Sequence, residues 1–252
     1  MPTTTPYDDV LATAQRWCDE RISAREQAQV LDAGSGLESY VAFPQHVHIT
    51  GIDVSLELLE ANTRLDDRIH GDLSEVELPE RSYACVICWD VLEHLEAPEP
   101  VVKKLARSVA DDGILLIGSP NPYSVKGLVT RLTPYAFHLW VYRRYVDARA
   151  QDAPGAGPYR TFMKRGGGFR AVRQAAEELG LTVAYHASIE SPLQVALRNR
   201  YRIEGVVWVC ARLLTRVLSL GLVRADATDY LVIFERRARS GSTIPPEFSG
   251  TA

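Results

Sequence analysis

The sequence predicts an α/β protein built on a doubly wound sheet of seven mostly parallel strands, with the last strand antiparallel and helical insertions forming a cap or lid. Three observations predict it. Apolar runs of strand length alternate with helical patterns between residues 29 and 120, and turns separate them. Acidic residues follow the ends of successive runs. The 252 residues, 46% hydrophobic, are enough to bury one large core.

Each element follows from a local pattern. A helix comes first, because apolar side chains from Tyr7 to Ile22 fall on one helical face. Helices are also predicted at Leu56–Leu65, at Val101–Ala110 and from Phe169 to Leu179, the last closed by Gly180. The predicted strands are Gln29–Ala33, His48–Val54, Arg68–Gly71, Tyr83–Trp89, Gly113–Ser119, Leu181–His186 and Tyr230–Arg236.

The chain divides into predicted segments: 1–28 for the first helix, 29–121 for a ligand-binding core, 122–168 for a helical insertion or lid, and 169–239 for completion of the core, with a second insertion at 191–223 and a disordered tail at 240–252. Both insertions are expected to lie over the sheet. Thr133 is a predicted helix cap in the first.

The insertions carry two further signals. Aromatic residues near Phe137 and Trp140 suit either the cover of a substrate pocket or a core, subunit or membrane-edge contact. The run Gly166–Gly168 predicts a hinge for a mobile lid. In the second insertion, Arg212, Thr215, Arg216 and Ser219 form a narrow polar stripe on an otherwise apolar helix.

Charge is unevenly distributed. Residues up to Asp112 hold 9 basic and 22 acidic side chains (−13), and the rest hold 19 and 10 (+9), for a net charge of −4. This excludes a uniformly basic nucleic-acid binder, and the basic half favours an acceptor with an anionic group or an anionic surface nearby. Four cysteines and an N-terminus without a signal pattern predict a cytoplasmic protein. Arg212 and Arg216 interrupt the most apolar stretch, which argues against stable membrane insertion.

A glycine-containing turn follows the first predicted strand. Gly34 and Gly36 let backbone approach a ligand, as in sheets that bind nucleotides. A dinucleotide fingerprint would need a third glycine where Ser39 stands. Asp32 would repel a pyrophosphate and attract an ammonium or sulfonium group. Both features disfavour, without excluding, an NAD-dependent oxidoreductase.

Two more carboxylates end the next two strands. Asp53 is placed to accept the hydroxyls of a ribose, and Asp72 to accept from an adenine amine. Singly, such residues are usually turn or cap residues. Their joint spacing with Asp32 favours an adenosyl ligand.

Residues 29–120 resemble the class I S-adenosylmethionine-dependent methyltransferases, which have a Rossmann-like fold, through D-A-G-S-G, G-I-D-V-S, H-G-D-L and C-W-D-V-L-E-H-L. The resemblance implies S-adenosyl-L-methionine as cofactor, and Glu38 stands where the family often has a third glycine. It places the methionine part beside Asp32, Gly34, Ser35 and Gly36, the ribose beside Asp53 and Val54, and the adenine beside Asp72 and Leu73, with Trp89 lining the cofactor.

Methyl transfer from a sulfonium is an in-line displacement that needs no protein nucleophile. A hydroxyl acceptor would benefit from a general base, for which His94 and His138 are the candidates. The pattern of Asp90, Glu93 and His94 resembles the E-x-x-E-H of metal-dependent O-methyltransferases. A divalent ion there could orient a catechol, but Asp90 is one methylene shorter than the glutamate in that pattern, so a site without metal is the leading interpretation and the metal site the alternative. Cys85 and Cys88 would point to opposite sheet faces and belong to the core.

The sequence therefore predicts a methyltransferase that acts on a small molecule, at an oxygen atom, in a sugar or natural-product pathway. The acceptor is expected to be lipophilic or anionic, and a homodimer is one of the alternatives left open for the aromatic surface of the insertion. One alternative is the NAD-dependent oxidoreductase. The other is a methyltransferase-like cyclase or binding module that holds the cofactor without transferring its methyl group.

Overall fold

The computed structural model describes residues 4–134, 136, 137, 140 and 159–238. Its strands are β1 (Gln29–Ala33), β2 (His48–Asp53), β3 (Asp67–His70), β4 (Tyr83–Trp89), β5 (Val109–Pro120), β6 (Leu181–Ile189) and β7 (Asp229–Arg236). They form one seven-stranded sheet in the order β3-β2-β1-β4-β5-β7-β6. β7 is antiparallel to both neighbours, and the other pairs are parallel. The predicted fold class is confirmed.

Helices lie on both faces of the sheet. They are α1 (Tyr7–Ser23), α2 (Leu56–Ala61), α3 (Pro98–Ser108), α4 (Val125–Leu132), α5 (Phe169–Glu177), α6 (Pro192–Arg200) and α7 (Gly205–Leu218). The helices α1 and α2 pack on one face, and α3 and α5 pack on the other. Cys85 lies in the first of these cores and Cys88 in the second, which confirms that the two thiols point to opposite faces.

Two predicted helices end earlier than expected. The helix predicted to reach Ala110 ends at Ser108, and β5 begins at Val109 with a register shift opposite Tyr83 to Cys85. Asp112, at a φ of 57°, lies in this irregular part of the strand. The helix predicted to reach Leu65 ends at Ala61.

The strand order places a ligand crevice. The strand order reverses at β1: β2 and β3 lie on one side of it, and β4 and β5 lie on the other. The loops that follow β1 and β4 therefore run in opposite directions and leave a crevice between them. Since the parallel strands end at the same sheet edge, the residues that follow β1, β2, β3 and β4 meet there.

The insertions differ from their predictions. Helices α6 and α7 bury no residue, so the second insertion does not lay an apolar face on the sheet as expected. Thr133 is the C-terminal cap residue of α4, and its hydroxyl donates to the Val129 carbonyl at 2.7 Å. Its predicted role as cap of the next helix, with Pro134 in the first turn, stays a prediction, because part of that helix lies outside the described residues. His138 and residues 240–252 lie outside the described residues.

Candidate active site

A cavity of about 470 Å³ opens at the carboxyl ends of β1, β2 and β4. Its wall includes every residue predicted to bind the cofactor, and also His94. The predicted residues are Asp32, Gly34, Ser35, Gly36, Asp53, Val54, Asp72, Leu73 and Trp89. The sequence therefore identified side chains that the fold brings together around one cavity, which we call the cofactor cavity.

The loop after β1 is packed on one side and open on the other. Gly34 has a φ of 81°, and its N–H donates to the Ile52 carbonyl at 2.7 Å. A Cβ atom at Gly34 would lie 2.2 Å from Val91, whereas one at Gly36 would meet nothing within 4 Å. Backbone at Gly36 can therefore approach a ligand closely.

Asp53 fastens this loop to the end of β2. Its Oδ2 accepts from the Gly36 N–H at 3.0 Å, and its Oδ1 accepts from the Ser55 N–H at 2.8 Å. Each carboxylate oxygen has a second lone pair that can accept a ligand hydroxyl. Asp53 is therefore placed both to hold the loop and to bind a ribose.

Two buried polar atoms of the cofactor cavity lack a partner among the described residues. They are the Oδ2 of Asp32 and the Oγ of Ser35. Burial is the main cause that raises the pKa of Asp32 to about 6; the hydrogen bond from Ser39 lowers it, and the charge of Asp53 adds to the rise. Since buried polar atoms are nearly always paired, these atoms fit a ligand that brings hydrogen-bond donors and a positive charge.

Asp72 both lines the cavity and caps a turn. Its Oδ1 accepts from the Ser74 N–H at 2.7 Å and from the Ser74 hydroxyl, and the hydroxyl contact lowers the pKa of Asp72. Asp72 can therefore cap the turn and still face a ligand in the cavity. Leu73 is buried beside it and contributes an apolar wall.

Trp89 forms the wall at the end of β4. The ring of Tyr40 stacks on it with centroids 4.7 Å apart, and the Tyr40 hydroxyl donates to Asp90. A Cβ atom at Gly118 would lie 2.5 Å from the indole, so only glycine leaves room for the ring there. Asp90 has a φ of 53°, a conformation that side chains rarely adopt and that is found at functional sites.

A second cavity of about 320 Å³ shares Trp89 and Asp90 with the first. We call it the acceptor cavity. It lies between α1, β4, β5, α4 and the ends of β6 and β7. Its other lining residues are Tyr7, Glu93, Ser119, Pro120, Lys126, Ile189, Ser191, Pro192, Asp229 and Tyr230. Sequence reasoning missed this cavity because its residues come from seven separate parts of the chain.

The acceptor cavity contains three carboxylates and one cation. Lys126 lies 3.0 Å from Asp229 and is paired with it, while Asp90 accepts from Tyr40. None of the arginines of the basic half is among its described lining residues. The predicted anionic acceptor thus gains no support from this lining.

Glu93 is the buried carboxyl group of the acceptor cavity. Its Oε2 has no partner among the described residues, and only 7% of the residue is exposed. Burial, and then the charge of Asp90, raise the pKa of Glu93 to about 8. The sequence presented Glu93 only as a member of a metal-binding pattern. The observations that single it out are its burial and its unpaired oxygen, which no sequence motif contains.

His94 holds a strap over the cofactor cavity. Its Nδ1 lies 3.0 Å from the Arg160 carbonyl, and its Nε2 lies 3.8 Å from Glu93 Oε1. The N–H groups of Phe162 and Met163 donate to the Glu93 carbonyl. The segment 159–164, which we call the strap, is therefore fixed to the 3-10 turn at Leu92–His94, and Tyr159, Arg160 and Phe162 line the cavity.

The residues of the metal-binding pattern do not converge. Within the described part of the chain, no three His, Cys, Asp or Glu residues are placed to hold a metal ion. Asp90 bonds to Tyr40, and His94 turns towards Arg160. Whether His138 joins them lies outside the described residues.

Two of the three glycines after the strap lie close to other side chains, and the predicted hinge stays a prediction. A Cβ atom at Gly168 would lie 2.9 Å from Tyr123, and one at Gly166 would lie 3.2 Å from Glu99. The Gly167 carbonyl accepts from the Tyr230 hydroxyl at 2.7 Å. Close approach therefore explains Gly168 and, less strictly, Gly166, whereas a Cβ atom at Gly167 would meet Leu92 only at 3.7 Å.

Comparison with known proteins agrees with this geometry. A family model described as a methyltransferase domain matches residues 11–186. A curated ubiquinone biosynthesis O-methyltransferase from Nitrosomonas europaea is 28% identical over 152 residues, which cover 53% of this chain and 64% of that protein. The corresponding protein of Dechloromonas aromatica is 31% identical over 129 residues, 46% of this chain and 54% of its own. The chain thus spans less than two thirds of these relatives.

Solved structures share the fold at low identity. Phosphoethanolamine N-methyltransferase 2 of Haemonchus contortus, in complex with S-adenosyl-L-methionine, superposes with a TM-score of 0.53 at 13% identity, over 92% of this chain and 53% of that one. A sarcosine dimethylglycine methyltransferase assigned in Galdieria sulphuraria gives 0.50 at 15% identity, over 90% and 86%. Among the described helices, none has the length and apolarity that crossing a bilayer requires.

Proposed function

The chain belongs to the S-adenosylmethionine-dependent methyltransferases, and from that premise we propose that it methylates a hydroxyl group of a small molecule held in the acceptor cavity. One observation carries the proposal. The cofactor cavity and the acceptor cavity adjoin at Trp89 and Asp90, and the unpaired carboxyl oxygen of Glu93 belongs to a residue of the acceptor side.

The cofactor cavity fits S-adenosylmethionine by its donor set. Asp32 offers a buried, unpaired carboxylate oxygen to a cationic ligand, and Ser35 offers an unpaired hydroxyl. Asp53 retains acceptor capacity for ribose hydroxyls, and Leu73 supplies an apolar wall. When bound, the cofactor would supply an electrophilic methyl group on a sulfonium.

Glu93 accepts the proton of the acceptor. With the cofactor bound, its methyl group would pass to the acceptor oxygen and S-adenosylhomocysteine would be released, while the Glu93 carboxylate takes the hydroxyl proton. A pKa of about 8 makes this group a stronger base than an ordinary carboxylate. Trp89, Tyr40 and the strap exclude water from the meeting point of the cavities, which keeps the displacement aligned and dry.

His94 acts here as a positioning residue. Its Nδ1 holds the Arg160 carbonyl, and the next residue along the turn, Glu93, holds the strap through its own carbonyl. The same turn thus places the base in one cavity and closes the other. The sequence-based assignment of His94 as a general base stays the competing prediction.

The acceptor cavity suits a compact ring with hydroxyl groups. Tyr7, Trp89 and Tyr230 offer aromatic surface, and Asp90 and Asp229 offer oxygen atoms that accept from hydroxyls. The curated relatives carry the name O-methyltransferase, which supports oxygen as the atom methylated. A sugar, a natural-product phenol or a quinone precursor has this chemistry, and the pathway belongs to the proposal.

The test is an acceptor panel with S-adenosylhomocysteine release as the readout. The panel contains catechols, other phenols, hydroxylated sugars and primary amines, assayed with the wild-type protein and with Glu93→Gln. We expect turnover on a hydroxylated ring and loss of turnover in the variant. Methylation of amines alone would contradict the choice of oxygen.

Calorimetric titration separates this proposal from its two rivals. Binding of S-adenosylmethionine but not of NAD excludes the dinucleotide oxidoreductase. Cofactor binding without turnover on any acceptor that native mass spectrometry finds co-purified with the protein would favour a binding module or cyclase.

A further inference from the structure

Helix α7 presents its apolar side chains to solvent. They occupy one half of the helix circumference, which we call the α7 face: Val206, Val207, Val209, Cys210, Leu213, Leu214, Val217 and Leu218. Val206 is 78% exposed and Val217 is 69% exposed. In a helix that packs on its own core, the apolar stripe is the buried one. In α7 the apolar stripe is instead the exposed one.

Polar contacts fix the helix in this orientation. On its other side, Arg212 lies 3.5 Å from Asp226, a buried carboxylate. Trp208 lies under the guanidinium of Arg198 at 4.5 Å. The half-buried Thr215 lies on this side as well. Arg212 and Thr215 of the polar stripe therefore face the protein, Arg216 is exposed at its edge, and the apolar residues face outwards.

The exposed area is the size of a subunit interface. With the neighbouring Leu220 and Leu222, which are 90% and 72% exposed, the α7 face amounts to on the order of 1,000 Å² if a fully exposed aliphatic residue presents about 150 Å². Monomers rarely expose an apolar patch above about 600 Å², and each partner of a stable complex buries about 800 Å². No described residue covers this face.

The α7 face contains no charged residue. Arg212 points to the protein, and Arg216 lies beyond the edge of the face. Two identical faces can therefore meet without opposing like charges, as an isologous interface requires. The exposed Arg216 lies just beyond one edge of the face, so vesicle binding is an outcome of the test below.

We propose that the α7 face is the interface of a homodimer, in which α7 packs against α7 of a second copy. The helix has 14 residues and is about 21 Å long, enough for three turns of contact. Cys210 lies on the midline of the face, close to the middle of the helix. The two Cys210 thiols therefore come within reach of a short cross-linker. The dimer does not depend on the proposed methyl transfer.

Sedimentation velocity of the full chain tests the interface. We expect the wild type to be a dimer, and we expect Leu214→Glu to raise the dissociation constant of that dimer at least tenfold. The matched control is Leu132→Glu on α4, because Leu132 is 72% exposed outside the α7 face. It should leave the dimer intact. Retained binding of S-adenosylmethionine by each variant shows that the fold has survived.

Cross-linking gives an independent measurement. A short bis-maleimide should join two chains through Cys210, because Cys18, Cys85 and Cys88 are buried. Cys210→Ser should abolish the covalent dimer. Cross-linking in the wild type that persists in Cys210→Ser would contradict the proposed geometry.

Three results would overturn the proposal. A wild-type protein that is monomeric at all concentrations excludes the dimer. Equal dissociation by Leu214→Glu and Leu132→Glu places the contact elsewhere. Sedimentation of a monomer with vesicles of phosphatidylglycerol and phosphatidylethanolamine, lost in Leu214→Glu, would assign the face to a membrane.

Discussion

The hydroxyl of Tyr40 donates to Asp90 Oδ2 across 2.6 Å and thereby joins the loop after β1 to the end of β4. This contact lies where the cofactor cavity and the acceptor cavity adjoin. Tyr40 also stacks on Trp89, so one side chain supports both walls of the junction. The two residues are 50 positions apart in the chain, and their contact holds the central crevice of the sheet in one shape.

Tyr40→Phe tests this contact. The variant keeps the stacked ring and removes the hydroxyl, leaving Asp90 without its partner. We expect S-adenosylmethionine to bind up to about tenfold more weakly, since a hydrogen bond to a charged group contributes about 1.5 kcal/mol or more. Calorimetry measures the change, and Tyr123→Phe is the control at another exposed tyrosine. Equal affinity in both variants would show that the bond is incidental.

Asp32 should make cofactor binding depend on pH. Burial raises the pKa of Asp32 to about 6 in the free protein, and a cationic ligand favours the ionised form. Affinity should therefore fall about tenfold between pH 8 and pH 5 as the carboxylate is protonated. Asp32→Asn should bind weakly at both values. A wild-type affinity that stays constant over this range would separate Asp32 from the ligand.

The same carboxylate should cost stability when no ligand is bound. The pKa of Asp32 is raised from 3.8 to about 6 in the folded state. The protonated carboxyl group therefore adds to the free energy of unfolding at low pH, and this stabilisation is lost as the pH rises through 6. Asp32→Asn should then stabilise the free protein at pH 7 by up to about 3 kcal/mol. Thermal unfolding at pH 4 and pH 7 measures the difference. A melting temperature unchanged at pH 7 would be inconsistent with a buried, unpaired charge.

Ionisation of Glu93 should make the reaction faster as the pH rises. With a pKa of about 8, the base is ionised in about a tenth of molecules at pH 7, so kcat/KM should rise about tenfold by pH 9. Glu93→Gln should lose turnover, keep cofactor affinity and be more stable than the wild type at pH 9 but not at pH 4. If His94 were the base, the variant would retain the pH profile.

His94 should act through the strap. His94→Asn keeps a donor near the position of Nδ1, whereas His94→Ala removes it. We expect His94→Ala to expose Arg160 and Lys164 to trypsin and to raise KM more than it lowers kcat, with His94→Asn close to the wild type. Equal losses of kcat in both variants, with unchanged proteolysis, would identify His94 as the base after all.

Gly118 should tolerate no side chain. A Cβ atom there would lie 2.5 Å from the Trp89 indole, which is held by Tyr40 on its other side. Gly118→Ala should cost about 1–3 kcal/mol of unfolding free energy and weaken cofactor binding. Gly167→Ala is the matched control, because its new atom would meet only Leu92, at an ordinary contact distance of 3.7 Å. Similar losses in both variants would point to a general backbone effect.

The sequence by itself determined which residues form the cofactor cavity. They are Asp32, Asp53 and Asp72 near the ends of three strands, and the loop of Gly34 and Gly36. These features are local. A strand's alternation, the turn after it and the residue at its end are set by a few neighbouring positions, and a parallel sheet then brings them to one edge.

Only the tertiary structure decided which carboxyl group is buried and unpaired, where the second cavity lies and which way α7 faces. The pKa of Glu93 depends on exclusion of water by segments far along the chain. The cavity joins Tyr7 to Tyr230. The polar stripe on α7 was readable from the sequence, but its direction depends on Asp226 and Arg198, because periodicity defines two faces of a helix without saying which one is buried.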